Sequence, residues 1–192
     1  MVDTVPAGMG DGRVILHKVK VLRGRLAVGD ELKLAVDAKR REATRLNHSA
    51  THLMHAALRE VLGKHVRQYG SLVEPERLRF DFTHFAPLTP AEIKRINTRV
   101  QEAIRANLKV ETLIAGMDEA KKMGALMFFG DKYGDSVRVL RIGSFSVELC
   151  GGTHVHSLGF IGPIKIVSEG SIGANLRRIE ALTGEGALEH IR

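Results

Sequence analysis

Four side chains able to hold a metal ion fall into two short clusters about a hundred residues apart. His48 and His52 stand four positions apart in a segment whose apolar residues recur at helical spacing, so their rings project from one face about one turn from each other. Two imidazoles so placed chelate one ion without backbone movement, although the same spacing also occurs in solvated pairs. Downstream, the only cysteine of the chain, Cys150, is followed by Gly151-Gly152-Thr153 and then His154. Two glycines allow the tight backbone turn that brings a thiol and an imidazole onto one ligand. Together His48, His52, Cys150 and His154 form a Cys-His₃ set suited to tetrahedral Zn2+, the alternative being a buried thiol beside unrelated histidines. Ser49 occupies the position after the first histidine where a zinc protease of the His-Glu-x-x-His type needs a glutamate base, which argues against peptide hydrolysis by that route.

These ligands need elements to carry them. Leu46, Ala50, Leu53, Met54, Ala57, Leu58, Val61 and Leu62 define one broad apolar face and predict a helix over Thr44 to Leu62, stopped by Gly63. His48, His52, His55 and Arg59 lie nearly opposite that face and should meet either water or a polar cavity. Paired strands are expected at Val66 to Val73 and Leu78 to His84, around Glu74-Pro75-Glu76. A helix is expected from the capping box at Thr89-Pro90-Ala91-Glu92 to about Asn107. Further strands are read at Val110 to Ala115, Val137 to Ile142, Phe145 to Leu149, Ile161 to Ser168 and Leu176 to Leu182, with a short helix at Asp118 to Gly124 and a last one after Gly184. Strands and helices mix without βαβ alternation, which points to an α+β fold with a largely antiparallel sheet packed with helices. Val2 to Gly12 reads as a flexible lead-in. Arg13 to Leu22 and Glu31 to Val36 read as strands about a Val28-Gly29-Asp30 turn, and Lys39 to Glu42 as a charged link. Residues 1–41 are therefore expected to be a lead-in with a partial β-barrel annex, and 42–192 the main domain.

The chain has 192 residues, 44% hydrophobic and 27% charged, enough for one sizeable core. No apolar run approaches the roughly 20 residues that span a bilayer, and the first residues lack the pattern of a signal peptide, so no membrane partner is expected. A single cysteine allows no internal disulfide and fits a reducing compartment, the cytoplasm by default. The net charge of +7 favours a polyanionic partner, or a basic surface that serves solubility. Lys39, Arg40, Arg41, Arg67, Arg177 and Arg178 are the candidates for nucleic-acid contact. Of the adjacent pair, Arg177 should share a strand face with Ile179 and Ala181, and Arg178 with Leu176 and Glu180; an ion pair with Glu180 is the competing use. Aromatic residues are only 5% and Trp is absent, so composition predicts no stacking platform for single-stranded bases. His55, His84 and His156 read as structural or exposed.

Asn47 to His55 (NHSATHLMH), Gly70 to His84 (GSLVEPERLRFDFTH), Phe129 to Gly134 (FGDKYG), Glu148 to Val155 (ELCGGTHV) and Arg177 to Gly184 (RRIEALTG) resemble the editing domain of alanyl-tRNA synthetase. Freestanding alanyl-tRNA editing proteins and the threonyl enzyme's editing domain share the pattern more loosely, and FGDKYG and RRIEALTG disfavour the threonyl type. The resemblance covers about Thr44 to Gly184. The upstream strands resemble the end of the small barrel that precedes this domain, so a fragment of a longer synthetase is expected. The resemblance implies hydrolysis of the ester that joins serine, and also glycine, to tRNA specific for alanine. It further implies Zn2+ on His48, His52, Cys150 and His154. Such a second sieve is needed because a pocket for a small side chain discriminates near-isosteres by only about 1–3 kcal/mol. Thr51 resembles the residue that meets the serine hydroxyl, and Gln68 a pocket residue that affects discrimination. Their plainer roles are packing within the helix and a solvated strand position. A tRNA-binding module with a structural zinc is the rival reading.

Overall fold

The computed structural model describes residues 3–9, 12–127, 134 and 136–192. The chain divides into two compact units, Met1–Val36 and Asp37–Arg192. In the first, β1 (Asp3–Met9) and β2 (Gly12–Lys18) form an antiparallel hairpin whose register runs from Asp3 opposite Lys18 to Met9 opposite Gly12. The expected lead-in is thus largely a strand, and the strand expected at Glu31 to Val36 does not form. A strand persists only with a ladder partner. Leu32, Leu34 and Val36 have none among the described residues and are exposed.

In the second unit, α1 (Ala38–Leu62) begins earlier than its apolar stripe suggests, because the Asp37 side chain accepts from the Arg40 backbone N–H at 3.0 Å. Lys39, Arg40 and Arg41 are therefore the helix's exposed first turns and not a link. Gly63, at φ 116°, ends the helix as expected. Next come β3 (Gln68–Val73), β4 (Leu78–Thr83), α2 (Pro90–Arg105), β5 (Val110–Gly116), α3 (Met117–Lys122), β6 (Ser136–Ile142), β7 (Ser146–Leu149), β8 (Ile164–Gly173), β9 (Leu176–Thr183) and α4 (Gly184–Ile191). One sheet has the order β3-β4-β9-β8 and another β5-β6-β7, and every strand pair is antiparallel. The α+β expectation holds. A 3₁₀ turn at Leu158–Ile161 takes the start of the strand expected from Ile161. Gly162, at φ 68°, then redirects the chain before β8 begins. Asn107, at φ 49°, similarly closes the α2 segment.

The main core joins α1 (Leu53, Met54, Leu58), α2 (Ile96, Val100), β4 (Phe80, Phe82) and β9 (Ile179, Ala181). Each fully buried Leu, Ile or Phe contributes about 1.5–3 kcal/mol. A smaller core of Ala115, Ala120, Ala125, Val137, Val139 and Leu149 lies under α3 and the second sheet. Helix α1 packs on α2 and β4 and also touches β7, so its histidine face is covered too. No helix among the described residues is long and apolar enough to cross a membrane.

Candidate metal centre

Helix α1 presents His48 and His52, and the chain leaving β7 presents Cys150 and His154. Cys150 Sγ lies 3.4 Å from His48 Nε2 and 3.3 Å from His154 Nε2. The four ligand atoms all fall within 4.8 Å of one another. A regular tetrahedral zinc site spaces such atoms about 3.3–3.6 Å apart, so a small closure of the widest pair completes it. His52 Nε2 is buried and finds no hydrogen-bond partner at ordinary geometry, an orphaned polar atom of the kind that a cation satisfies once it displaces the proton there. The donor set and its geometry fit Zn2+.

Local contacts explain why the downstream ligands arrive there. Cys150 N–H donates to the Arg138 carbonyl at 3.0 Å, extending the β6–β7 ladder by one residue. The Arg138 guanidinium reaches back to the carbonyls of Cys150 and Gly152 and holds the turn. At Gly152 any Cβ would overlap the His48 ring, so a side chain here would drive His48 out of the cluster. Ser49 Oγ accepts from Val155 N–H at 3.1 Å and lies 3.3 Å from His154 Nδ1. The serine in the place of a protease's glutamate therefore holds the His154 segment against α1. Arg45 Nε donates to the His154 carbonyl at 3.1 Å.

Behind the ligands stands Glu148, 1% exposed. It accepts from His52 Nδ1 at 2.5 Å, from His55 Nδ1 at 3.0 Å and from Ser146 Oγ at 3.1 Å. Burial alone would raise the Glu148 carboxyl, but the charge of His52 and the hydrogen bonds from His52 and His55 hold it well below the usual carboxylate range. Burial likewise opposes charge on His52, yet Glu148 and the Cys150 thiolate push it up to about 10. With Nδ1–H fixed on Glu148, Nε2 is the atom aimed at the cluster. Burial would raise the Cys150 thiol, but hydrogen bonds from His154 and His48 and the charge of His52 bring it down to about 3. His154 is pushed down to about 4, chiefly by burial and by the charges of His48 and His52. A thiolate and a neutral imidazole are the forms that bind a metal, so Cys150 and His154 stand ready, and a cation entering the cluster must displace the second proton of His52.

The four expected ligands come together. Thr51, 4% exposed, donates its hydroxyl to the Asn47 carbonyl at 2.8 Å, an intrahelical bond. Gln68 lines a cavity of about 260 Å³ together with His55, Arg59, Lys64, Arg67, Leu126 and Met127. Arg177 shares the buried face of β9 with Ile179 and Ala181, as alternation requires, and donates to Glu169 at 2.6 Å. Arg178 makes a bidentate pair with Asp81, 2.7 Å on each arm, directly across the β4–β9 ladder. Glu180, the expected alternative partner, pairs with Arg77. His55 and His84 are buried and His156 is exposed. The FGDKYG segment lies outside the described residues except for Gly134. Glu148 and Arg138 were missed as site residues. Strand alternation offered the signal, since Ser146, Glu148 and Cys150 stand on one face.

Residues 137–180 match the family model described as the threonyl and alanyl tRNA synthetase second additional domain. The chain is 58% identical to the alanine–tRNA ligase of Carboxydothermus hydrogenoformans over 178 residues, 93% of its own length and 20% of the ligase. It is 53% identical to that of Desulforamulus reducens over 179 residues, again 93% and 20%, and 56% identical to that of Stenotrophomonas maltophilia over 175 residues, 91% and 20%. The chain thus spans about a fifth of the length of these relatives. Matched along nine-tenths of its length by one stretch of such ligases, it belongs to the editing-type domain of the alanyl-tRNA synthetase family.

Proposed function

We propose that this domain hydrolyses the ester of mischarged tRNA, removing serine, and also glycine, from tRNA specific for alanine, as one part of a longer ligase in the cytoplasm. The observation that carries the reading is the convergence of His48, His52, Cys150 and His154 onto a single point. His52 and His154 are buried, whereas His48 and Cys150 are half-exposed, so a substrate reaches the cluster from the His48–Cys150 side. A Zn2+ held by these four residues would polarise the ester or anchor the aminoacyl group. Glu148 is not the base: both of its oxygens are bound and it is 1% exposed. Proton transfer then falls to the vicinal ribose hydroxyl of the substrate or to a backbone-held water. Thr51 is assigned to the serine hydroxyl, which requires it to exchange its bond with Asn47, and Gln68 to discrimination between substrates. Lys39, Arg40 and Arg41, exposed on α1, are assigned to the tRNA body, while Arg177 and Arg178 reach RNA only by sharing their acidic partners.

A second reading, a tRNA-binding module with a structural zinc, is favoured by one feature: four protein ligands fill a tetrahedral shell. Deacylation of seryl-tRNA charged on the alanine-specific tRNA separates the two. Purified protein should release serine and contain one zinc, and Cys150→Ala and His52→Ala should each lose zinc and at least a hundredfold in rate while keeping their circular dichroism. Undiminished release in both variants rejects the catalytic site. If chelation unfolds the domain before turnover falls, the structural reading stands instead.

A further inference from the structure

The cavity of about 260 Å³ is connected to the metal ligands through one side chain, because His55 in its wall shares Glu148 with His52. Arg59, Lys64 and Arg67 bring three cations to it, and no described lining residue is a carboxylate. The turn after α1 is pinned in place: Arg59 Nη1 donates to the carbonyls of Lys64 at 3.0 Å and Val66 at 2.7 Å. Beside it, Arg67 N–H donates to Thr83 Oγ1 at 3.0 Å, and that hydroxyl donates to the His65 carbonyl at 2.9 Å. This stitching brings His65 against the residues that follow β4. The His65 and His84 rings stack at 5.2 Å and 24°, and Phe85 lies 4.6 Å from His84 with 74% of its surface exposed. The structure therefore gathers an aromatic stack that composition did not foretell, adjacent to a basic cavity.

We propose that the cavity and the stack together seat the single-stranded 3′ end of an RNA, a backbone phosphate among Arg59, Lys64 and Arg67 and a base on the open face of Phe85. Cations at one point recognise a phosphodiester, and an exposed ring beside them recognises any base by its π face. Cations alone would also suit an acidic peptide; the adjoining stack favours a nucleotide. The proposal deepens the deacylase reading by naming where the strand lies, and rests on that reading only for which RNA is bound.

The test uses the zinc-loaded full chain and a labelled, unacylated RNA hairpin with a single-stranded ACCA end. Lys64→Gln/Arg67→Gln should weaken binding at least tenfold at low salt and reduce the salt slope by about one to two. Phe85→Ala should weaken it roughly tenfold with the slope unchanged. Lys122→Gln/Lys165→Gln, which removes the same charge from exposed positions on α3 and β8, should change it less than twofold. Equal losses in both double variants, binding within twofold of wild type in Lys64→Gln/Arg67→Gln or Phe85→Ala, or competition by polyglutamate as strong as by unlabelled RNA would each overturn the seat. Because the probe carries no amino acid, the two readings separate. Deacylation with unchanged KM in Lys64→Gln/Arg67→Gln rejects the seat alone. Selective loss of binding without any wild-type deacylation supports the seat and rejects the deacylase.

Discussion

At the scale of single residues, the site depends on groups that hold ligands as much as on the ligands. A metal-bound imidazole whose other nitrogen donates to a carboxylate is fixed in tautomer and orientation, and loss of such a partner typically lowers affinity about 10- to 100-fold. Glu148 is placed to do this for His52 and is itself fixed by His55 and Ser146. Glu148→Gln should therefore weaken zinc binding by about that factor, measured by competition with a chromophoric chelator; unaltered affinity would show that the carboxylate is only a buried counter-charge. The ligand types and their order were legible in the sequence, because each pair is close in the chain. Glu148 was not assigned: strand alternation puts it on the face of Cys150, but its partners are 96 and 93 residues away and no local spacing names them. The partners of Arg177 and Arg178 were hidden for the same reason: strand alternation sets the face, but the neighbouring strands supply the carboxylates of Glu169 and Asp81.

At the scale of elements, periodicity and caps read well where the information is local. The α2 start at Thr89 is complete: Thr89 Oγ1 accepts from Glu92 N–H at 3.2 Å, and the Glu92 carboxylate accepts from Thr89 N–H at 2.8 Å. These bonds also keep the Glu92 carboxyl below its ordinary value. Thr89→Ala should destabilise the domain by about 1 kcal/mol, seen as a lower urea midpoint with an unchanged slope. A shift beyond about 2 kcal/mol would mean that Thr89 does more than cap. The first hairpin was misplaced because apolar alternation marks what suits a strand without marking its partner. β2 pairs with the segment before it, and Glu31 to Val36 is left without a ladder.

At the scale of the whole molecule, acid should act through His84 as well as through the ligands. Burial and the neighbouring His65, with a smaller contribution from Arg177, push His84 below its ordinary value, against weaker opposing pulls from Glu92 and Glu169. The unfolded chain takes up this proton near pH 6.5 and the folded one resists it. The unfolded state then binds more protons, so stability present above about pH 6.5 is lost as pH falls from there toward the lower folded value. The urea midpoint of the zinc-loaded domain should drop between pH 7.5 and 5.5, and less so in His84→Gln. An equal drop in both proteins would remove His84 from the account.

By itself the sequence determined what neighbours along the chain decide: helical stripes, capping residues, strand alternation, the glycines of the turn, and four side chains able to bind a cation. Only the tertiary structure decided that the polar face of α1 is covered, that Glu148 clamps two histidines, and that His65, His84 and Phe85 stack beside three cations. The physical reason is range. Backbone periods repeat every two or 3.6 residues and leave their mark locally. Buried polar partners and ring stacks join segments that meet only after the sheets have folded around α1.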